Sequence, residues 1–276
     1  MRKITILIST VLMCSLLAVS AMCNQELKAD EILARARFGG ELKGEGSLIT
    51  SLRFDIEEVS TATIISNSFV AFSKRTEEGT EFLLFYFLDA GYNTGSILLM
   101  KTEQEETRQW YYSPEWELLR ELDVQAQEQG LAGSNISFQN LGGYEFEESY
   151  TAELTGEDSI TIGEAVRSVY VLSLTARPDT EPDFPTATMW VDKEDFFVLR
   201  MENANPAGNT VQLVEVLALG EFGGKTTVDQ LVNKDLLEEK STTITFLERK
   251  RPDEEFPESL FDPENLPSFD PAMYGF

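Results

Sequence analysis

Carboxylate groups are the side chains of this sequence that could do chemistry in quantity. The runs EQEE at 103–106 and DKED at 192–195 could supply metal ligands or a pair of catalytic carboxylates. The chain carries 48 acidic residues, however, so such runs arise without a chemical role, and solvated turns are the simpler interpretation. Histidine is absent, which excludes Ser-His-Asp and Cys-His catalysis and histidine-ligated zinc. We therefore predict no enzymatic activity, no catalytic residues, no metal and no cofactor.

The glycine and charge patterns exclude further classes of ligand. No G-x-S-x-G elbow, Walker loop or G-x-G-x-x-G follows a strand pattern, and the cluster GELKGEG at 40–46 is interpreted as a turn. The 22 basic residues leave a net charge of −26, so the basic surface that nucleic acid requires is missing. An electrostatic hold on an anionic membrane is disfavoured for the same reason. A binding site in this chain should be apolar, or basic only very locally.

The first 22 residues are typical of an export signal. Arg2 and Lys3 precede an apolar run, and the small residues Ser20 and Ala21 close it. A single membrane anchor is the alternative interpretation, because the run is nearly long enough to span a bilayer. Cleavage before Met22 would leave a soluble periplasmic protein, whereas acylation of Cys23 would tether it to a membrane. Removing Arg2 and Lys3 leaves 20 basic against 48 acidic residues, a net charge of −28, and at most one cysteine, so no internal disulfide is expected.

The apolar patterns after residue 25 predict a mainly β (α+β) protein. Residues 25–38 have helical spacing and are followed by Gly39 and Gly40. Strands at 169–176 and 241–250 alternate between apolar and polar residues, whereas those at 82–88 and 96–100 are apolar on both faces. A strand apolar on both faces must be covered on both sides or line an apolar cavity. We therefore predict a strongly curved antiparallel sheet with helices or loops filling its concavity.

Two segments of irregular composition flank or interrupt this sheet. Residues 123–146 are polar and rich in Gly, Gln and Asn, so they could form a lid or cavity plug, or equally a surface connection. Residues 257–266 are predicted to make one helical turn that docks Leu260, Phe261 and Leu266. The Pro-rich and acidic composition of 267–276 predicts a loosely ordered tail. Residues 23–266 are then a single domain.

Several segments, in order, resemble the LolA-like outer-membrane lipoprotein-sorting family, and the resemblance covers roughly residues 80 to 266. They are GSILLM (95–100), WYYSPEWELLREL (110–122), LAGSNISFQNL (131–141), YVLSLTARP (170–178), MWVDKEDFFVLRMEN (189–203) and TITFLERKRPDEEFPESLFDPENL (243–266). The residues that match the family's motifs are Trp110, Tyr111, Pro114, Arg120, Gly133, Ser134, Trp190, Val191 and Asp192. Asn135 and Asn140, both uncharged, stand where the family usually has acids.

The resemblance implies an unclosed antiparallel half-barrel whose apolar concave face is capped by helices. It also implies a periplasmic carrier that holds acyl chains of lipoproteins or lipids and moves them toward the outer membrane. Its partners would be an inner-membrane release complex and an outer-membrane receptor. A tethered lipoprotein, stress sensor or interaction module on the same scaffold is the alternative, which acylation of Cys23 would favour. A histidine-free lipid hydrolase has no support beyond the acidic residues.

One face of the paired apolar strands is expected to line the cavity. The candidates for contact with acyl chains are Phe85, Phe87, Leu98, Met100, Trp110, Tyr112, Met189 and Leu199. Plain core packing is the competing interpretation for each of them. The turn at Pro114 places Trp110 and Tyr112 on one face of their strand and Tyr111 on the other. Arg120 and Arg200 are scarce cations that could orient a lipid phosphate or a lid carbonyl, or form surface salt bridges instead.

Overall fold

The computed structural model describes residues 27–38, 42, 46–104, 106–127, 129–137, 146–180 and 182–276. The predicted signal sequence, Cys23, Gly39–Gly40 and Asn140 lie outside these residues. The strands are β1 Gly46–Glu58, β2 Thr63–Arg75, β3 Glu81–Asp89, β4 Ile97–Glu103, β5 Glu106–Ser113, β6 Leu118–Glu121, β7 Tyr150–Ile162, β8 Ala165–Ala176, β9 Thr186–Asp192, β10 Val198–Ala204, β11 Thr210–Phe222, β12 Lys225–Asp235 and β13 Lys240–Lys250. The helices are α1 Ala29–Leu33, α2 Val124–Gln127 and α3 Phe146–Ser149, and 3-10 turns cover Gly91–Asn93, Leu131–Gly133, Glu258–Phe261, Pro263–Ser268 and Pro271–Tyr274.

All thirteen strands belong to one antiparallel sheet, which is curved and not closed. Strands β1 to β6 follow one another as neighbours, as do β7 to β13, and the pairing of β1 with β13 joins the two halves. The edges of the sheet are therefore β6 and β7. This is the unclosed half-barrel that the LolA-like resemblance implied.

The inner, concave face carries the larger apolar core. Alternate residues of β1, β2 and β3 place Phe54, Phe69 and Phe85 there, with ring centroids 4.8 Å apart for Phe54 and Phe69 and 4.9 Å apart for Phe69 and Phe85. Helix α1 adds Ile32 and Leu33, both fully buried. Each large side chain buried in this way contributes about 1.5–3 kcal/mol of transfer free energy. The inner core therefore holds the curved sheet and its helices together.

The outer face of β1–β6 carries a second core. The opposite residues of β3, including Leu84 and Tyr86, belong to it, so β3 is covered on both sides as its apolar pattern predicted. The covering segment is the C-terminal part of the chain, residues 256–276, which we call the outer cover. Its turns bury Phe261 and Leu266, as predicted, although two 3-10 turns form where one helical turn was expected.

The prediction of a loosely ordered tail at 267–276 is wrong. Phe269, Tyr274 and Phe276 pack on Phe72 of β2, with ring centroids 5.3, 5.0 and 6.3 Å from that of Phe72. The proline and acid content suggested disorder, but these three rings cover apolar surface that the strands leave on the outer face. The three aromatic residues of the tail indicated packing, but its proline and acid content indicated disorder more strongly.

The predicted helix at 25–38 is shorter than expected. Helix α1 ends at Leu33, and Arg37 already lies in an extended bridge beside Phe197. The backbone N–H of Arg37 donates to Phe196 O at 3.1 Å, and Val198 N donates to Arg37 O at 2.9 Å. Pairing with the start of β10 therefore replaces the last turns of the helix.

Candidate functional site

The segment that follows β6 crosses the inner face of the sheet. Its described residues 122–127 and 129–137, which we call the inner cover, bury Leu122, Leu131 and Ile136 in the inner core. A Cβ atom at Gly130 would lie 2.1 Å from Ser134 O, so this tight loop requires glycine there. Of the two alternatives for residues 123–146, the plug is the one that this part of the segment adopts.

Polar side chains on the inner face hold the inner cover in place. Asn67 of β2 donates from Nδ2 to Ala132 O at 3.1 Å. Asn135 donates from Nδ2 to Asn233 O of β12 at 3.1 Å, and its backbone N–H donates to Thr242 Oγ1 of β13 at 3.3 Å. The Oδ1 atom of Asn135 is buried and has no hydrogen-bond partner among the described residues. The described residues therefore hold the inner cover through a few neutral hydrogen bonds.

Two neighbouring cavities lie on the inner face at the β6 edge, and we call them together the edge cleft. The first, of about 460 Å³, is lined by Tyr92, Asn93, Tyr111, Ser113, Glu115, Trp116, Leu118 and Arg120. The second, of about 250 Å³, is lined by Phe87, Asn93, Tyr111, Arg120, Leu122, Gln129, Gly130, Ala132 and Gly133. The first volume falls within the range of about 300–1,000 Å³ that is usual for small-molecule sites. The inner cover forms one wall of the second cavity.

The register of β5 and β6 determines which side chains form the wall of the edge cleft. Tyr111 pairs with Arg120 and Ser113 with Leu118, so these four side chains share the inner face of the β5–β6 hairpin. The turn at 91–95 meets this hairpin closely, because a Cβ at Gly95, whose φ is +83°, would lie 3.1 Å from the Pro114 ring. The two hairpin ends therefore form one rim of the cleft.

The polar groups of the edge cleft centre on Tyr111 and Arg120. The Tyr111 hydroxyl donates to Asn93 Oδ1 at 3.3 Å. Burial raises the pKa of Tyr111, while a hydrogen bond with Ser96 and the charge of Arg120 act in the opposite direction. The guanidinium of Arg120 is exposed and forms no ion pair with any acid in the described part of the chain. The cleft thus combines aromatic walls with the positive charge of Arg120, the carboxylate of Glu115 at the hairpin turn and several hydrogen-bonding groups.

The predicted cavity residues divide between the two faces. Six of them lie in the inner core and are at most 2% exposed: Phe85, Phe87, Leu98, Met100, Met189 and Leu199. Of these six, Phe87 alone lines the edge cleft. Contact of these side chains with a ligand stays a prediction.

Trp110 and Tyr112 share one face of their strand and Tyr111 lies on the other, as predicted, but the expectation that the Trp110 face lines the inner cavity is wrong. Trp110 pairs with Leu99 and Tyr112 with Ile97, which puts both on the outer face, in contact with the outer core. Tyr111 pairs with Leu98 and faces inward. The pairing of Glu103 with Glu106 fixes this register, so counting along both strands from that pair would have identified Tyr111. Asn93, Tyr92 and Trp116 carried no comparable signal, because they come together only through the packing of separate turns.

The other candidate groups have structural partners. Arg200 lies on the outer face, bonded to Glu202 at 2.6 Å and 5.2 Å above the Trp190 ring, so its salt-bridge interpretation holds. In the DKED run, Asp192 is buried and binds Arg167, which also contacts Glu194 at 3.1 Å and Asp195 at 2.7 Å. These carboxylates, first that of Asp192, raise the pKa of Arg167. The EQEE run begins at a hairpin turn where Glu103 binds Lys101 at 2.7 Å.

Metal binding and a membrane-spanning helix are two further features considered for the described residues. Within them, no set of three or more acidic, cysteine or histidine side chains is placed to hold a metal ion. No helix in these same ranges combines the length and apolar character needed to cross a bilayer.

The fold is that of LolA-like proteins. A structure described as an outer membrane lipoprotein-sorting protein domain, from Vibrio parahaemolyticus, matches with a TM-score of 0.69 and 16% identity, over 87% of this chain and 98% of its own. A LolA superfamily protein from Nitrosomonas europaea matches with a TM-score of 0.56 and 17% identity, over 86% and 98%. A DUF1329 family protein from Desulfovibrio piger matches with a TM-score of 0.69 and 18% identity, over 80% and 91%. The LolA-like resemblance of the sequence is thus confirmed at the level of the fold.

The family model that matches this chain covers residues 79–268 and is described as "Uncharacterized protein". Because the match spans more than half of the sequence, the chain belongs to that family. No curated protein matches the sequence.

Proposed function

We propose that this chain is a cell-envelope protein that binds acyl chains of lipids or lipoproteins on its inner face and carries them toward the outer membrane. In this proposal residues 1–22 direct export to the periplasm, where the protein is soluble or is tethered through Cys23. An inner-membrane release complex would supply the cargo and an outer-membrane receptor would accept it. The similar structure from Vibrio parahaemolyticus is described as a lipoprotein-sorting domain, which supports the proposed transport.

The observation that carries the proposal is a row of aromatic rings leading from the edge cleft into the inner core. Tyr111 and Phe87 have ring centroids 6.1 Å apart, Phe87 and Phe69 5.2 Å, and Phe69 and Phe85 4.9 Å. The Tyr111 end of this row lines the edge cleft, and the Phe85 end lies in the inner core. An acyl chain that entered at Tyr111 would meet apolar surface along its whole path.

The inner cover must move for a long acyl chain to follow this row. Leu131 and Ile136 now occupy the inner core, and an acyl chain can replace their contacts because each buried CH₂ contributes about 0.8 kcal/mol. The polar side chains freed on the sheet, Asn67 and Asn233, can bond to water when the cover leaves. Opening of a loop over a ligand site is a common gating step. The inner cover thus occupies the place that the proposal gives to the acyl chain.

The experiment compares two adjacent tyrosines on opposite faces. Delipidated wild-type protein should bind a fluorescent fatty acid near stoichiometrically, and lipid extraction from protein purified out of its native envelope should recover acyl lipid. Tyr111→Ala should weaken fatty-acid binding, whereas Tyr112→Ala, the matched control on the outer face, should leave it unchanged. Absence of binding by the folded, delipidated protein would overturn the proposal. An equal loss in both variants would refute the placement of the acyl chain on the inner face.

A further inference from the structure

We infer that the edge cleft selects amphiphiles with an acidic headgroup, a carboxylate or a phosphate, and that Arg120 binds this headgroup. The inference rests on the proposed acyl binding and names the chemical class of its ligand. The headgroup would remain at the wall that the two cavities share, where Arg120, Tyr111 and Asn93 meet. The acyl chain would point inward past Phe87.

The charge environment of Arg120 is the first argument. The chain has 48 acidic residues against 22 basic ones, so a cation on its surface has many potential partners. Arg108 lies on the opposite face of the same hairpin and binds Glu121 through two bonds of 2.8 Å. Arg120 has no such pair within the described ranges, although it sits one residue from Glu121 in sequence. Register explains the contrast, because Arg120 faces inward beside Tyr111 while Glu121 faces outward beside Trp110.

The lining of the second cavity is the second argument. Arg120 is the only charged residue that lines this cavity in the described part of the chain. Asn93 accepts the Tyr111 hydrogen bond through Oδ1, so its Nδ2 group can donate to a ligand oxygen. A guanidinium and an amide N–H group on one wall match the acceptor oxygens of a carboxylate or phosphate. Glu115, which lines the first cavity, lies exposed at the hairpin turn, where its repulsion of an anion is weakened by solvent and salt.

The apolar surface around the same charge is the third argument, and it favours an amphiphile over a free anion. Tyr92 and Trp116 line the first cavity with 94% and 73% of their surface exposed. Phe87 lines the second cavity and leads to the inner core. A free inorganic anion would leave these aromatic surfaces without a partner. A headgroup attached to an acyl chain uses both the charge and the apolar walls.

The test compares palmitate, 1-palmitoyl lysophosphatidate, the neutral alcohol hexadecanol and inorganic phosphate on delipidated wild-type protein, Arg120→Gln and Arg108→Gln. Wild-type protein and Arg108→Gln should bind palmitate and lysophosphatidate about tenfold more tightly than hexadecanol. Arg120→Gln should lose this preference while its affinity for hexadecanol stays unchanged. Raising the salt concentration should reduce the preference in wild-type protein, because the ion pair between Arg120 and the acidic headgroup would be partly exposed to solvent.

The outcomes separate this inference from the proposed function. If palmitate and hexadecanol bind wild-type protein equally, or if Arg120→Gln behaves like Arg108→Gln, the headgroup inference is wrong while acyl binding stands. If inorganic phosphate binds as tightly as lysophosphatidate, the site is one for free anions and the inference fails. If no amphiphile binds, acyl binding and the headgroup inference both fail. Unfolding curves for the two variants should match that of the wild type, since neither arginine is buried.

Discussion

The inner and outer faces of the half-barrel are each covered by a segment of the chain, but the two covers differ in chemistry. The outer cover, residues 256–276, stacks aromatic rings on Phe72 and on one another. The inner cover, residues 122–127 and 129–137, inserts a few aliphatic side chains and is held by hydrogen bonds from Asn67 and Asn135. Both segments fold onto the same sheet.

The difference indicates which of the two covers can leave the sheet and be replaced by a ligand. Removing the outer cover would expose a continuous apolar surface to water, which is strongly unfavourable. Removing the inner cover would expose apolar surface too, but also polar groups that water can solvate, and an acyl chain could fill the apolar part. The outer cover therefore belongs to the permanent core, and the inner cover is suited to opening.

The strongest test of the outer cover is the removal of the ring at its centre. Phe72 is fully buried and lies within 6.3 Å of four rings of the outer cover, measured between centroids. Phe72→Ala should lower the free energy of unfolding by about 3–5 kcal/mol, as for other buried phenylalanines. Chemical denaturation measures this change. A loss below about 1 kcal/mol would mean that the outer cover is not part of the cooperative core.

A matched pair of leucines compares the inner cover with the sheet beneath it. Leu83 of β3 and Leu131 of the inner cover are both fully buried in the inner core. Leu83→Ala should lower the free energy of unfolding by about 2–5 kcal/mol, the usual range for buried leucine. Leu131→Ala should cost less than about 2 kcal/mol, because the inner cover can leave the sheet without unfolding it. Equal costs in denaturant titrations would mean that the inner cover is as permanent as the sheet.

A smaller effect is expected from removing one of the hydrogen bonds that hold the inner cover. Asn135→Ala removes the bond to Asn233 O and should favour the open state by about 1 kcal/mol. Faster association of a fluorescent fatty acid would report the shift. Asn265→Ala is the matched control, since Asn265 makes a similar 2.8 Å bond to Ser259 O in the outer cover. Equal acceleration in both variants would count against a specific role of the inner cover.

The smallest expected effect is a pH dependence of the stability of the outer cover at its first residue. The hydrogen bond from Ser47 Oγ to Glu255 holds the pKa of Glu255 below its ordinary value of 4.5. Because the folded pKa is lowered, the contact stabilises the fold above the unfolded pKa and is lost as the pH falls through the folded value. The protection factors of amides near Phe256, which are corrected for the intrinsic pH dependence of exchange, should therefore fall slightly below pH 4.5. In Ser47→Ala this acid dependence should weaken, and an unchanged dependence would assign it to other groups.

Sequence patterns predicted the sheet and the docking of Phe261 and Leu266, but not the last part of the outer cover. Residues 82–88 are apolar on both faces, which required two covers, and the structure supplies both. The composition of 267–276 concealed this last part of the outer cover, because three aromatic rings among prolines and acids do not reveal which surface they will contact. The inward position of Tyr111 could have been predicted, since the pairing of Glu103 with Glu106 sets the register of β5.

The edge cleft itself could not be predicted. It forms where the 91–95 turn, the β5–β6 hairpin and the inner cover meet, and these segments are distant in sequence. Arg120 was recognised as a scarce cation, but its lack of an ion pair to any described acid depends on which face of β6 it occupies. That face follows from pairing with Tyr111, which only the assembled sheet defines.

Hydrogen exchange with and without palmitate tests the central claim most directly. The claim is that the inner cover opens for acyl chains while the outer cover stays in place. On saturation with palmitate, amides in 129–137 should exchange faster and those in 256–276 should not change. Unchanged exchange in 129–137 with palmitate bound, or faster exchange in 256–276 alone, would contradict it.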